Sequence, residues 1–234
     1  MVEEEHPLTV HEIIGVEAAR NPGAPALLAP RSAPLTYSQL HVLVQRTAEA
    51  LNQAGVGLGD CVAVVLPNGP DMAAAFCAIS SSAVCAPLNP ACGREEFDFF
   101  LTDLEPSLLV TQESFGEPAV EVARSRGVPV AILNPAASGR AGDFMLTARR
   151  GTPPRRPGLA GAGEVALMLH TSGTASRPKL VPLRHRNLCL SARNIRRTLR
   201  LGQPDCCLNI MPLFHIHGQM LIRASRTNRC WPST

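Results

Sequence analysis

Gly59-Asp60-Cys61-Val62-Ala63-Val64-Val65-Leu66 decides the fold class. A turn pair followed by six apolar residues predicts a strand covered on both faces, since a strand with one wet face would alternate. Upstream, Thr36 and Gln39 fit a capping box, in which hydroxyl and N3 side chain satisfy free amides reciprocally. Leu40, Leu43, Val44, Thr47, Ala48 and Leu51 then recur at helical spacing, and Gly55 supplies a left-handed stop. Thr9 and Glu12 announce an earlier helix in the same way.

The alternation continues downstream. A small-residue helix is predicted over 70–82, a strand over 84–87, and a helix over 94–104 with Phe97, Phe100, Leu101 and Leu104 on one face. Residues 107–111 read as a strand, 117–126 as a helix and 128–133 as a strand. Strands between helices predict an α/β fold: a mainly parallel sheet flanked by helices. Asn134–Gly163 breaks the pattern; with its Pro, Gly and Arg it reads as an exposed linker. An RNA-binding arm is the sharper alternative there, but it lacks interleaved aromatics. A second, incomplete lobe is expected to start near Glu164.

The 234 residues and 45% hydrophobic content allow a sizeable core in one large domain or two small ones. A net charge of +3 gives no argument for a nucleic-acid partner. The longest uncharged stretch, Met72–Gly93, is broken by Pro87 and Pro90, so no membrane helix is expected. Eight cysteines show no C-x-x-C pair, and the first residues are acidic where a secretory signal would be basic. A reducing, cytoplasmic setting is the expectation, and the Pro-Ser-Thr ending is not a peroxisomal address.

Of the 22 basic residues only Lys179 is a lysine. It closes Thr171-Ser172-Gly173-Thr174-Ala175-Ser176-Arg177-Pro178-Lys179, which follows the apolar run Val165–Leu169. Hydroxyls, a glycine and a terminal lysine suit a polyphosphate cradle: glycine lets amides face an anion, hydroxyls donate, and lysine adds fixed charge. A plain Ser/Thr turn between strands would use the same residues. The loop is not a Walker A motif, because Pro178 and Leu180 stand where that motif needs glycine and a magnesium-binding hydroxyl.

Here the chain resembles the adenylate-forming (AMP-binding) acyl-CoA synthetases. Their phosphate loop reads close to Ser/Thr-Ser-Gly-Thr-Thr-Gly-x-Pro-Lys-Gly, which 171–179 follows with changes. Leu35–Leu40, Gly59–Asn68 and Ala86–Pro90 resemble the family's N-terminal segments in order, and Pro212–Gly218 resembles its next motif. Residues 170–183 are most similar to the oxalate–CoA ligase branch. Ala175 removes one hydroxyl donor and Leu180 adds bulk relative to the family pattern.

The resemblance implies two half-reactions. A carboxylate attacks the α-phosphate of Mg-ATP to give an acyl-adenylate and pyrophosphate, and the CoA thiol then displaces AMP. Thr171, Ser172, Gly173, Thr174, Ala175 and Ser176 would form the nucleotide loop, with Lys179 as its point charge. His215 would lie near the carboxylate and α-phosphate, and His217 would help line the acyl pocket. ATP, Mg2+ and CoA are the implied cofactors, although the family's magnesium ligand has no counterpart here.

Other readings accompany these residues. His215 and His217 with Cys206 and Cys207 could form a zinc site, or simply a polar pair in a loop. His170 is expected to be a packed strand residue. The arginines of the helix over 185–199 read as a solvated face. The resemblance covers residues 1–218, while 219–234 reads as an aberrant, patternless tail. Two functions stay open: a ligase piece whose turnover is impaired by truncation, and a non-catalytic product that binds phosphates or a partner through a sheet edge.

Overall fold

The computed structural model describes residues 8–171, 178–202, 205–215 and the backbone of 227–230. Helix α1 (Val10–Arg20) starts on the Thr9/Glu12 capping box, and α2 (Tyr37–Gln53) on the Thr36/Gln39 box. Between them lie the short strands β1 (Pro25–Leu28) and β2 (Leu35–Thr36). Gly55, at φ +89°, turns the chain out of α2.

The predicted alternation then appears as β3 (Cys61–Val64), α3 (Pro70–Ser80), β4 (Val84–Pro87), α4 (Arg94–Leu104), β5 (Leu108–Thr111), α5 (Glu117–Ser125) and β6 (Val130–Pro135). All four residues of β3, β4 and β5 are buried, as unbroken apolar runs require. β3, β4, β5 and β6 pair in parallel. The core divides into two layers, one on each face of this sheet. Leu43, Leu51, Phe76 and Ile79 lie in one, and Phe97, Leu101, Val122 and Ala123 in the other.

The stretch expected to be an exposed linker is exposed along most of its length, but it is tied down at several points and includes a strand. Phe144–Thr147 forms β7, antiparallel to β6, with Ala141 and Phe144 buried. Arg46 of α2 reaches Asp143 at 2.5 Å and also the Phe144 carbonyl. Further on, backbone contacts replace side-chain packing. Gly151 N–H donates to Gln53 O, Leu58 N–H to Arg156 O, and Ala160 N–H to Ser81 O, at 2.8–2.9 Å. A Cβ on Gly55 would stand 2.6 Å from Thr152 O. Proline and glycine here mark close main-chain approach, which composition alone cannot distinguish from looseness. Arg149, Arg150 and Arg155 remain exposed.

Nor does a second lobe begin near Glu164. β8 (Val165–Thr171) lies parallel to β4, with Cys85 opposite Leu167, and β9 (Lys179–Arg184) pairs antiparallel to β8. The result is one seven-stranded mixed sheet in the order β7-β6-β5-β3-β4-β8-β9. β4, buried on both faces, needs a neighbour on each side, and β8 is the second one. Helix α6 (His185–Thr198) follows. A separate four-stranded sheet has the order β10-β11-β1-β2. It contains β10 (Cys206–Asn209) and β11 (Thr227–Cys230). β11 lies in the stretch read as patternless, and it pairs in parallel with both β10 and β1.

Candidate active site

Parallel strands present their carboxyl ends along one edge of a sheet, where α/β folds place their ligands. Here that edge carries the ends of β3, β4, β5 and β8. β8 ends on Thr171 and β9 starts on Lys179, and these two residues face each other across the ladder. Thr171 Oγ1 donates to Lys179 O at 3.3 Å. The hairpin register runs back through His170–Leu180 and Leu169–Val181. Thr171 and Lys179 are both exposed, so this closed stem presents a hydroxyl and a cation to solvent at the sheet edge. Ser172, Gly173, Thr174, Ala175 and Ser176 lie outside the described residues, as does His217.

His170 is a packed residue, as expected. Its ring lies 4.7 Å from Phe100 and 5.9 Å from Phe99, and Nε2 meets Asp103 Oδ2 at 2.9 Å. The side chain is only 8% exposed. It anchors the start of the loop to α4, a link that the sequence hid because Asp103 is 67 positions away.

His215 is exposed and ends a turn in which its N–H donates to Pro212 O at 3.1 Å. Its ring tilts against Phe214 at 4.6 Å. Leu213, buried in the core, donates its N–H to Asn68 Oδ1 at 2.9 Å. Asn68 follows β3, and β8 is two places from β3 in the sheet. Two strand spacings of ~4.8 Å separate β3 from β8, so the connection that anchors the histidine turn and the loop stem belong to the same edge of the sheet. Nearby, Gln112 after β5 donates to Asp71 Oδ2 at 2.8 Å. Burial raises the Asp71 pKa above its ordinary value, against the opposing pull of that hydrogen bond. Sequence reading quoted Asn68 within a motif but missed it, Asp71 and Gln112 as site neighbours. Their signal was position alone: Asn68 and Gln112 follow buried strands, and Asp71 lies in the first turn of α3. Among the described residues no group of three His, Cys, Asp or Glu side chains could hold a metal ion.

Helices on both faces of a mixed sheet, with the Thr171–Lys179 hairpin stem at its carboxyl edge, define an open α/β protein. Residues 15–226 match the family model described as AMP-binding enzyme, and the chain belongs to that family. It is 36% identical over 221 residues to the Humulus lupulus protein named "Probable CoA ligase CCL9", covering 91% of this chain and 41% of that protein. It is 38% identical over 195 residues to an oxalate–CoA ligase of Arabidopsis thaliana, covering 79% and 36%. Its fold is similar to apo MatB of Rhodopseudomonas palustris, with a TM-score of 0.78 at 22% identity, covering 98% of this chain and 46% of that one. The chain spans about two fifths of the length of these curated relatives. No helix among the described residues is long and apolar enough to cross a membrane.

Proposed function

We propose that this chain carries the phosphate-binding and carboxylate-facing part of an ATP-dependent acid–CoA ligase. The observation that carries the reading is the Thr171–Lys179 pair, which closes the hydroxyl-rich loop at the carboxyl edge of β8. The exposed Lys179 suits the β- and γ-phosphates of ATP as a point charge, and Thr171 with Ser172, Gly173, Thr174, Ala175 and Ser176 supplies donors around them. His215, exposed on its turn, is assigned to the carboxylate and α-phosphate, and His217 to the acyl side, both by their match to the family motif. Attack by a carboxylate oxygen on the α-phosphorus forms the mixed anhydride and expels pyrophosphate. The thiol of CoA then displaces AMP. The protein contributes position and opposite charge while negative charge shifts toward the leaving group. The described residues offer no acidic cluster that fits Mg2+, so no step is assigned to it.

The similarity to oxalate–CoA ligases supports a small dicarboxylate such as oxalate as the acid. The test is carboxylate-dependent ATP–pyrophosphate exchange by the 234-residue chain across a panel of acids that includes oxalate. Exchange lost in Lys179→Ala supports the reading. Absence of exchange with every acid, on folded protein, overturns it.

A further inference from the structure

We propose that Asn68 is a positioning residue for His215. Among the described residues, the turn that carries this histidine makes a bond of its own from His215 N–H to Pro212 O, and one from Leu213 N–H to Asn68 Oδ1 across 145 positions of sequence. The second is the only one of the two that ties the turn to the main sheet. Asn68 lies in the short connection between β3, a central strand buried on both faces, and α3, whose residues from Met72 onward are buried. A side-chain amide is directional: it sets the orientation of the 212–215 turn as well as its distance from the sheet edge. Leu213 adds apolar burial, a contact that lacks the directionality of a hydrogen bond.

The catalytic side of this proposal rests on the functional reading above, whereas the clamp itself does not. Asn68→Leu removes the acceptor, and Asn68→Asp keeps one. Hydrogen exchange followed by NMR is expected to show the Leu213 amide exchanging about tenfold faster in Asn68→Leu, the loss of one hydrogen bond of about 1.4 kcal/mol. The His215 ring resonances are expected to move in the same variant. Asn68→Asp restores both. In pyrophosphate exchange, kcat/KM for the carboxylate is expected to fall about tenfold in Asn68→Leu while KM for ATP holds. Unchanged Leu213 exchange or unchanged His215 resonances in folded Asn68→Leu overturn the proposal. So does a normal carboxylate kcat/KM alongside a loosened amide. If Asn68→Leu does not fold, the wild-type protein decides: a Leu213 amide exchanging at the rate of an unprotected one overturns the clamp. A wild-type chain with no pyrophosphate exchange sinks the ligase reading but leaves the amide and His215 measurements to judge the clamp.

Discussion

His185 Nδ1 accepts a hydrogen bond from Val10 N–H at 3.2 Å, joining the first residues of α6 and α1 across 175 positions of sequence. The imidazole is fully buried. An accepting Nδ1 carries no proton, so the ring is neutral with its proton on Nε2. His185→Leu preserves bulk but strands a buried helix N–H. The expected loss is about 1–3 kcal/mol of stability, read from the urea midpoint at pH 7.

Helix α1 gives the protein a pH-dependent margin. Burial pushes the Glu12 carboxyl up, but the N–H groups of Leu8 and Thr9 and the Thr9 hydroxyl together bring it below its ordinary value of 4.5. Below pH 4.5 the unfolded chain therefore takes up a proton before the folded one does, and stability declines as pH falls toward the lower folded value. Burial lowers the pKa of His11 from 6.5, so its contribution is lost in the same direction over a higher window. Glu12→Gln keeps the capping oxygen and removes the lower step. Thermal melts between pH 3 and 7 are expected to converge for the two proteins at the acid end.

Arg46 staples the segment before β7 to helix α2 through Asp143 and the Phe144 carbonyl. Both side chains are more than two thirds buried. Arg46→Met leaves the Asp143 carboxylate without its cation and is expected to cost about 1.5–3 kcal/mol. Limited trypsin digestion is the readout: cleavage after Arg140, whose backbone bridges to Ala33, should quicken relative to cleavage after Arg149.

Asp103→Ala removes the hydrogen-bond partner of His170 while leaving its contacts with Phe99 and Phe100. The start of the loop stem is then free to shift. ATP affinity by calorimetry is expected to fall about fivefold, equivalent to roughly 1 kcal/mol. Asp103→Asn retains an acceptor and should recover most of it. A stem that does not depend on α4 would leave both variants at the wild-type value.

The helices of the first 133 residues and the main-sheet strands β3–β6 were legible because local signals agreed with the tertiary result, whereas β1 and β2 were not read. The Thr9 and Thr36 capping boxes set helix starts, and Cys61–Val64 and Val84–Pro87 are buried throughout, as their composition demands. Past residue 133 the signals parted from the structure. Phe144–Thr147 is a short edge strand held by a distant arginine, and the Gly151 and Arg156 segments pack through backbone. Neither device leaves periodicity. β9 was read only as part of a motif, since Pro182 interrupts its run on the sheet's edge, the one place a ladder tolerates proline. At the candidate site, Lys179 and His215 could be picked out by residue type. Asn68 and Asp103 could not, because their partners lie 145 and 67 positions away.

The pairing of β1 with β11 sets a timetable for synthesis. Leu27 lies opposite Asn228, so the strand near the start of the chain waits for one made 201 residues later. At ribosomal speeds of about 5–20 residues per second, β1 spends roughly 10–40 s with one edge unfilled while the seven-stranded sheet assembles beside it. A nascent strand in that state is open to capture by another chain. Its four-residue length and leading Pro25 limit what a competitor could pair with, while β2 covers its opposite side.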